Sequence, residues 1–195
     1  MRRGVPIRRD RPSLLKLPIF RLYVRLGIKK DGVKTVQNEL EILKTAILNE
    51  AEGYQFYTMA ALRAEDPLVK EAFRHLAAEE QQHEQWLRKM YTEIITGRPA
   101  AEPAPGAVPS PHIFRQENVG LESGSLEISV YKIGILMEMA SLQFYRDAAA
   151  RTDNEALRKL LLHLAAWEDS HLEALQKIYE VLKEEWWERQ GFSPA

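Results

Sequence analysis

Sliding the chain against itself by 88 residues aligns positions 46–91 with 134–179 without a gap, and 18 of the 46 pairs are identical. The matched pairs include Ile47/Ile135, Glu50/Glu138, Phe56/Phe144, Tyr57/Tyr145, His75/His163, Leu76/Leu164, Glu80/Glu168, His83/His171 and Leu87/Leu175. Internal self-similarity over such a span marks a duplicated structural unit. The second copy must therefore fold as the first does. Two such copies packed together create a pseudo-two-fold axis, and anything built on that axis draws equivalent residues from both.

The unit reads as a helical hairpin. Residues 38–96 are rich in Ala, Leu, Glu and Gln with proline only at Pro67, and residues 125–189 contain no proline. Period-2 alternation is nearly absent, which argues against strands. Within the first copy, Asp66-Pro67 pairs an N-cap side chain with a proline suited to the first helical turn. Within the second, Thr152-Asp153-Asn154 offers caps and Glu155 follows in the first turn. Asn38 with Glu41 has capping-box spacing and sets the expected first start. Four helices are predicted over 38–64, 67–96, 125–151 and 155–189, with the Pro/Gly-rich stretch 97–124 as a long crossover and 190–195 as a tail. Two tight helical hairpins joined by one long connection define an all-α, ferritin-like four-helix bundle.

The chain has no cysteine. This excludes a disulfide framework, a thiolate zinc site, an iron–sulfur cluster and a thiol nucleophile. Any metal must be held by oxygen and nitrogen. The formal net charge of -1 conceals an asymmetry, because residues 1–30 hold ten Lys/Arg against Asp10 alone. A basic, apolar arm (residues 1–37) thus precedes an acidic body. No run approaches the roughly 18 apolar residues of a membrane span, and Lys16, Arg21 and Arg25 interrupt the only signal-like stretch, so a cytoplasmic body is expected. The arm has three open readings: packing on its own or a neighbouring body, peripheral contact with an anionic membrane surface through residues 1–30, or nucleic-acid binding. Phosphate repulsion by the acidic body counts against the last.

Three residues in each copy can ligate metal: Glu50, Glu80 and His83, then Glu138, Glu168 and His171. Glu80-x-x-His83 and Glu168-x-x-His171 are i,i+3 pairs that share a helix face with Leu76, Leu87, Leu164 and Leu175. Four carboxylates in a bundle core are prohibitively unfavourable unless neutralised, and two divalent cations match their charge. One Glu from each of two helices with Glu-x-x-His from each of the other two is the di-iron or di-manganese carboxylate arrangement. Imidazole and carboxylate suit iron, manganese or a mixed pair.

Tyr57 and Tyr145 follow Glu50 and Glu138 by seven residues, so each hydroxyl is expected to hydrogen-bond and orient a ligand carboxylate. Phe56 and Phe144 read as packing residues. His75 and His163 fall to one side of the ligand stripe, and His112 lies in the crossover without an obvious partner. Trp86, Trp167, Trp186 and Trp187 are expected in the core or at an interface, the last pair anchoring the tail or a second subunit of a homodimer or higher oligomer.

The segments AILNEAEGYQFY (46–57) with LAAEEQQH (76–83), and ILMEMASLQFY (135–145) with LAAWEDSH (164–171), resemble the di-iron domain of rubrerythrins over residues 38–180. The resemblance implies a ferritin-like fold, Glu50, Glu80, His83, Glu138, Glu168 and His171 as ligands to two iron ions, and chemistry with peroxide or oxygen. The chain departs from the family in two respects. It lacks the four-cysteine rubredoxin module that often supplies electrons, which implies an external electron-donor protein. Ser141 stands where rubrerythrins commonly carry a further Glu, which makes the site more symmetric. Peroxide reduction or iron oxidation is the expected activity. A membrane-surface hydroxylase of the ubiquinone-biosynthesis type and non-enzymatic iron storage are the alternatives.

Overall fold

The computed structural model describes residues 30–97 and 125–191. Four helices make up this part of the chain: α1 (Lys30–Arg63), α2 (Pro67–Thr96), α3 (Ser125–Arg151) and α4 (Glu155–Arg189). The protein is an all-α four-helix bundle in which α1 packs along α2, and α3 along α4, as two hairpins.

Equivalent residues cap the second helix of each hairpin. The Asp66 carboxylate accepts from the backbone N–H groups of Leu68 (2.7 Å) and Val69 (3.1 Å), and the Asn154 side chain accepts from Leu157 N–H at 3.1 Å. Both caps satisfy donors that the first helical turn leaves free. At the other end of α2, Gly97 takes the left-handed conformation (φ 70°) and donates to the carbonyls of Glu93 and Ile94. Glycine adopts that conformation without steric penalty.

The first helix starts at Lys30 rather than at residue 38, so it reaches eight residues further towards the N-terminus than the spacing of Asn38 and Glu41 suggests. The expected capping box is absent because both of its residues lie inside the helix, where each has another partner. Asn38 Nδ2 donates to the Arg151 carbonyl at 3.3 Å, and Glu41 pairs with Lys44 at 2.8 Å. Asn38 and Glu39 instead brace the α3–α4 turn. Burial raises the Glu39 carboxyl above its ordinary range, and hydrogen bonds with the Asn154 and Thr152 side chains oppose that rise. The arm from 1 to 29, the crossover from 98 to 124 with His112, and residues 192–195 lie outside the described residues.

Two apolar clusters fill the bundle, and the repeat exchanges them. One gathers Leu43, Leu87, Met90, Tyr145, Leu157, Leu161 and Leu164. The other gathers their counterparts Tyr57, Val69, Phe73, Leu76, Leu175 and Ile178 with Tyr131. Along α2, Leu76 lies in one cluster and Leu87 in the other, while along α4 Leu164 and Leu175 are placed the opposite way round. The stretch between them on each helix therefore crosses the middle of the bundle. Among the described residues, no helix is long and apolar enough to cross a membrane.

Candidate metal centre

That middle layer contains all six ligand candidates of the repeat. Glu50 on α1, Glu80 and His83 on α2, Glu138 on α3, and Glu168 and His171 on α4 are all buried, with at most 4% of their surface exposed. They form two overlapping groups, Glu50–Glu80–His83–Glu168 and Glu80–Glu138–Glu168–His171. Within each group, one candidate ligand atom per residue lies within 4.8 Å of all the others. Glu80 and Glu168 belong to both groups. Glu50 with His83, and Glu138 with His171, each belong to one.

Both imidazoles turn Nδ1 inward. His83 Nδ1 lies 3.3 Å from Glu50 Oε2, 3.6 Å from Glu80 Oε2 and 3.9 Å from Glu168 Oε1. His171 Nδ1 lies 3.4 Å from Glu80 Oε1, 3.8 Å from Glu138 Oε2 and 3.9 Å from Glu168 Oε2. The two rings face one another, 6.0 Å between centroids.

Electrostatics in this layer follow from burial and from like charge. Burial, reinforced by neighbouring Glu80, pushes Glu50 up to about 8. Burial followed by Glu80 and Glu138 holds Glu168 well above the carboxylate range. Burial alone would raise Glu80 too, but the close approach of Glu50, His171 and His83 outweighs it and holds that carboxyl well below its usual value. Burial opposes charge on His83, yet Glu50 and Glu80 raise it to about 9. His171 is raised further above its ordinary value, against burial, by Glu138, Glu79 and Glu80. A cluster of this kind must be neutralised, by protons or by cations, and the two compete for the same lone pairs.

Tyr57 and Tyr145 do contact carboxylates, and the contacts cross the repeat. The Tyr57 hydroxyl donates to Glu138 Oε1, and the Tyr145 hydroxyl donates to Glu50 Oε1. Both tyrosines are fully buried. Burial and then the adjoining carboxylates raise both phenols well above their ordinary value, so they remain protonated donors.

Around this layer the two halves differ. Glu79, which sequence reasoning passed over, is buried and its Oε2 lies 3.1 Å from His171 Nε2. Its other oxygen, Oε1, lies 3.4 Å from Nδ1 of the exposed His75. The position equivalent to Glu79 is Trp167, whose ring meets His83 edge-on at 5.2 Å. Trp167 Nε1 donates to His163 Nε2 at 3.1 Å, and Trp86 packs 5.5 Å from His83. Two of the four tryptophans thus line the His83 side, while Trp186 and Trp187 contact each other at 5.0 Å near the end of α4. Ser141, at the family's extra-Glu position, accepts from Asn49 Nδ2 at 2.8 Å. Gly53, its counterpart, leaves room for Glu80, since a Cβ there would stand 3.3 Å from the Glu80 carboxyl carbon.

The donor set fits a pair of divalent cations. Glu50 Oε2, Glu168 Oε1, His83 Nδ1 and His171 Nδ1 are buried without a hydrogen-bond partner among the described residues. Buried polar atoms are otherwise nearly always paired, and here all four belong to the convergent layer. Fold and site together define a ferritin-like carboxylate protein with a buried Glu/His cluster compatible with a di-iron site. The family model for rubrerythrin matches residues 41–179, and the chain belongs to the rubrerythrin family. No curated protein matches it. A solved structure of a hypothetical protein from Pyrococcus furiosus is similar, with 27% identity, 74% of this chain and 89% of that chain covered, and a TM-score of 0.58.

Proposed function

We propose that this chain is a non-haem di-iron carboxylate oxidoreductase that reduces peroxide or uses oxygen, as a peroxidase or ferroxidase, with electrons from a separate donor protein or from ferrous iron itself. The observation that carries this reading is the overlap of two four-residue groups through Glu80 and Glu168. Shared carboxylates between two ligand sets are what a bridged metal pair requires. Manganese or a mixed pair fits the same donors.

Each part of the chain has a distinct task in this reading. Glu80 and Glu168, which belong to both groups, would be shared by the two ions, and Glu50 with His83 and Glu138 with His171 would each serve one of them. Tyr57 and Tyr145 keep their protons on the phenol oxygens and hold Glu138 and Glu50 by Oε1, which leaves the Oε2 atoms for metal. The apolar clusters on either side keep bulk water away from the layer. When bound, the metal pair supplies the redox chemistry with peroxide or oxygen that no side chain here provides. The chain holds no cysteine, so reducing equivalents must come from outside it.

Stopped-flow mixing of iron-loaded, anaerobically reduced protein with hydrogen peroxide tests the reading. Peroxide loss far faster than with free ferrous iron, matched to site oxidation, is expected. Iron-loaded protein that is oxidised no faster than iron in buffer would overturn it, and stoichiometric oxygenation of a quinone precursor would favour the hydroxylase class instead.

A further inference from the structure

The pseudo-two-fold axis equates His83 with His171 and Glu79 with Trp167, so a mismatch falls on side chains that touch the matched imidazoles. On the His171 side, Nε2 meets the Glu79 carboxylate at 3.1 Å, and Glu79 is tethered from the surface by His75 at 3.4 Å. On the His83 side, Nε2 is buried with no hydrogen-bond partner among the described residues. The rings around His83 are Trp167, edge-on at 5.2 Å, and Trp86 at 5.5 Å between centroids. Indole is a donor only, and the Trp167 N–H is already given to His163.

The difference bears on metal affinity through ordinary ligand chemistry. A neutral imidazole that offers Nδ1 to a cation carries its proton on Nε2. A carboxylate accepting that proton fixes the tautomer and the ring orientation, and makes Nδ1 a stronger donor. His171 has this support. Among the described residues His83 has no acceptor for the same N–H, which penalises the ligating tautomer. We propose that Glu79 is a positioning residue that makes the two halves of the centre unequal, so that the Glu138/His171 half takes a divalent cation first and holds it more tightly than the Glu50/His83 half. The inference rests on the reading that the six residues hold a metal pair. It adds an order of filling that the shared donor set alone does not contain.

The probe is Co²⁺ added to the metal-free full-length chain, followed by visible absorption and by competition with a chromophoric chelator. Two classes of binding are expected, the tighter lost in His171→Ala and kept in His83→Ala. In Glu79→Gln and Glu79→Leu the tighter class should weaken by about 10–100-fold, more for leucine, while the weaker class stays within about twofold and the helical circular dichroism is unchanged. The glutamine variant keeps the side chain's size and an acceptor oxygen, so it reports the loss of the carboxylate charge without a packing defect. Two classes of equal affinity in the unaltered chain, or a tighter class indifferent to both Glu79 variants, would overturn the assignment. Absence of any Co²⁺ binding would overturn the metal reading itself, which is a different result from equal binding.

Discussion

Replacing Tyr57 by Phe removes one oxygen and leaves the ring, and the structure says what that oxygen does. The Tyr57 side chain is fully buried and its hydroxyl donates to Glu138. The ring packs against Phe73 at 6.1 Å and Phe56 at 5.2 Å, contacts that phenylalanine preserves. The perturbation is therefore one hydrogen bond to a buried carboxylate. A bond to a charged group contributes about 1.5–3 kcal/mol, and the upper half of that range is expected because nothing else in the described structure replaces the donor. For a domain of this size about 2–4 °C of melting temperature accompanies each kcal/mol, so the variant should melt about 5–12 °C lower. Tyr145→Phe should lose a similar amount, since Tyr145 makes the equivalent bond to Glu50. Tyr54→Phe, at a half-buried tyrosine outside the acid layer, should stay within about 0.5 kcal/mol. Urea unfolding of the three variants in the metal-loaded state measures all of this. A Tyr57→Phe protein as stable as the Tyr54→Phe control would refute the claim that the crossed tyrosines hold the ligand carboxylates.

Three further outcomes follow from the same layer. In the metal-free protein, His83 and Glu50 are raised to about 9 and about 8 from ordinary values of 6.5 and 4.5. A raised folded-state pKa contributes stability that is fully present below the unfolded value and lost as pH rises through the folded one. The metal-free form should thus lose stability as pH rises, through Glu50 from about pH 4.5 to 8 and through His83 from about 6.5 to 9, while the metal-loaded form, having exchanged those protons for cations, should not; parallel pH series of denaturant melts check this. Gly53→Ala should weaken metal binding despite alanine's helix preference of about 1 kcal/mol, because its Cβ would stand 3.3 Å from the Glu80 carboxyl carbon. Gly134→Ala meets the flexible end of the Leu175 side chain at 3.2 Å and makes ordinary contacts with the Tyr57 hydroxyl at 3.5 Å and Phe56 at 3.6 Å, so it should weaken Co²⁺ binding less than Gly53→Ala, as a titration of both variants would report. Leu76→Ala and Leu164→Ala, both fully buried in exchanged positions of the two clusters, should each lose about 2–5 kcal/mol by urea unfolding.

The 88-residue repeat made most of the bundle readable before any coordinates, because a duplicated Glu and a duplicated Glu-x-x-His can converge only if the hairpins meet at their axis. What escaped was whatever the repeat does not duplicate. Glu79 aligns with Trp167, so a search for identities skipped it; an acid immediately preceding a ligand acid was visible, but nothing in the sequence said which imidazole lay opposite. The crossed tyrosine bonds were half readable: helix periodicity places each tyrosine on the face of the acids two turns along, and only packing decides that its hydroxyl reaches the other copy's Glu. The start of α1 was misplaced because Asn38 and Glu41 have the spacing of a cap. In the folded chain Asn38 is occupied by the Arg151 carbonyl, 113 residues away in sequence, and local pattern cannot foresee such a partner.

Metal content is the most direct test of the centre. Protein purified without added metal, then loaded anaerobically with ferrous iron and desalted, should carry about two iron ions per chain by mass spectrometric metal analysis, as expected of a bridged carboxylate pair. Glu80→Ala and Glu168→Ala should each lose both ions, because each carboxylate belongs to both groups, whereas Glu50→Ala should lose one more readily than the other. A folded chain that binds no iron, or a Glu80→Ala protein that still carries two ions, would contradict the account.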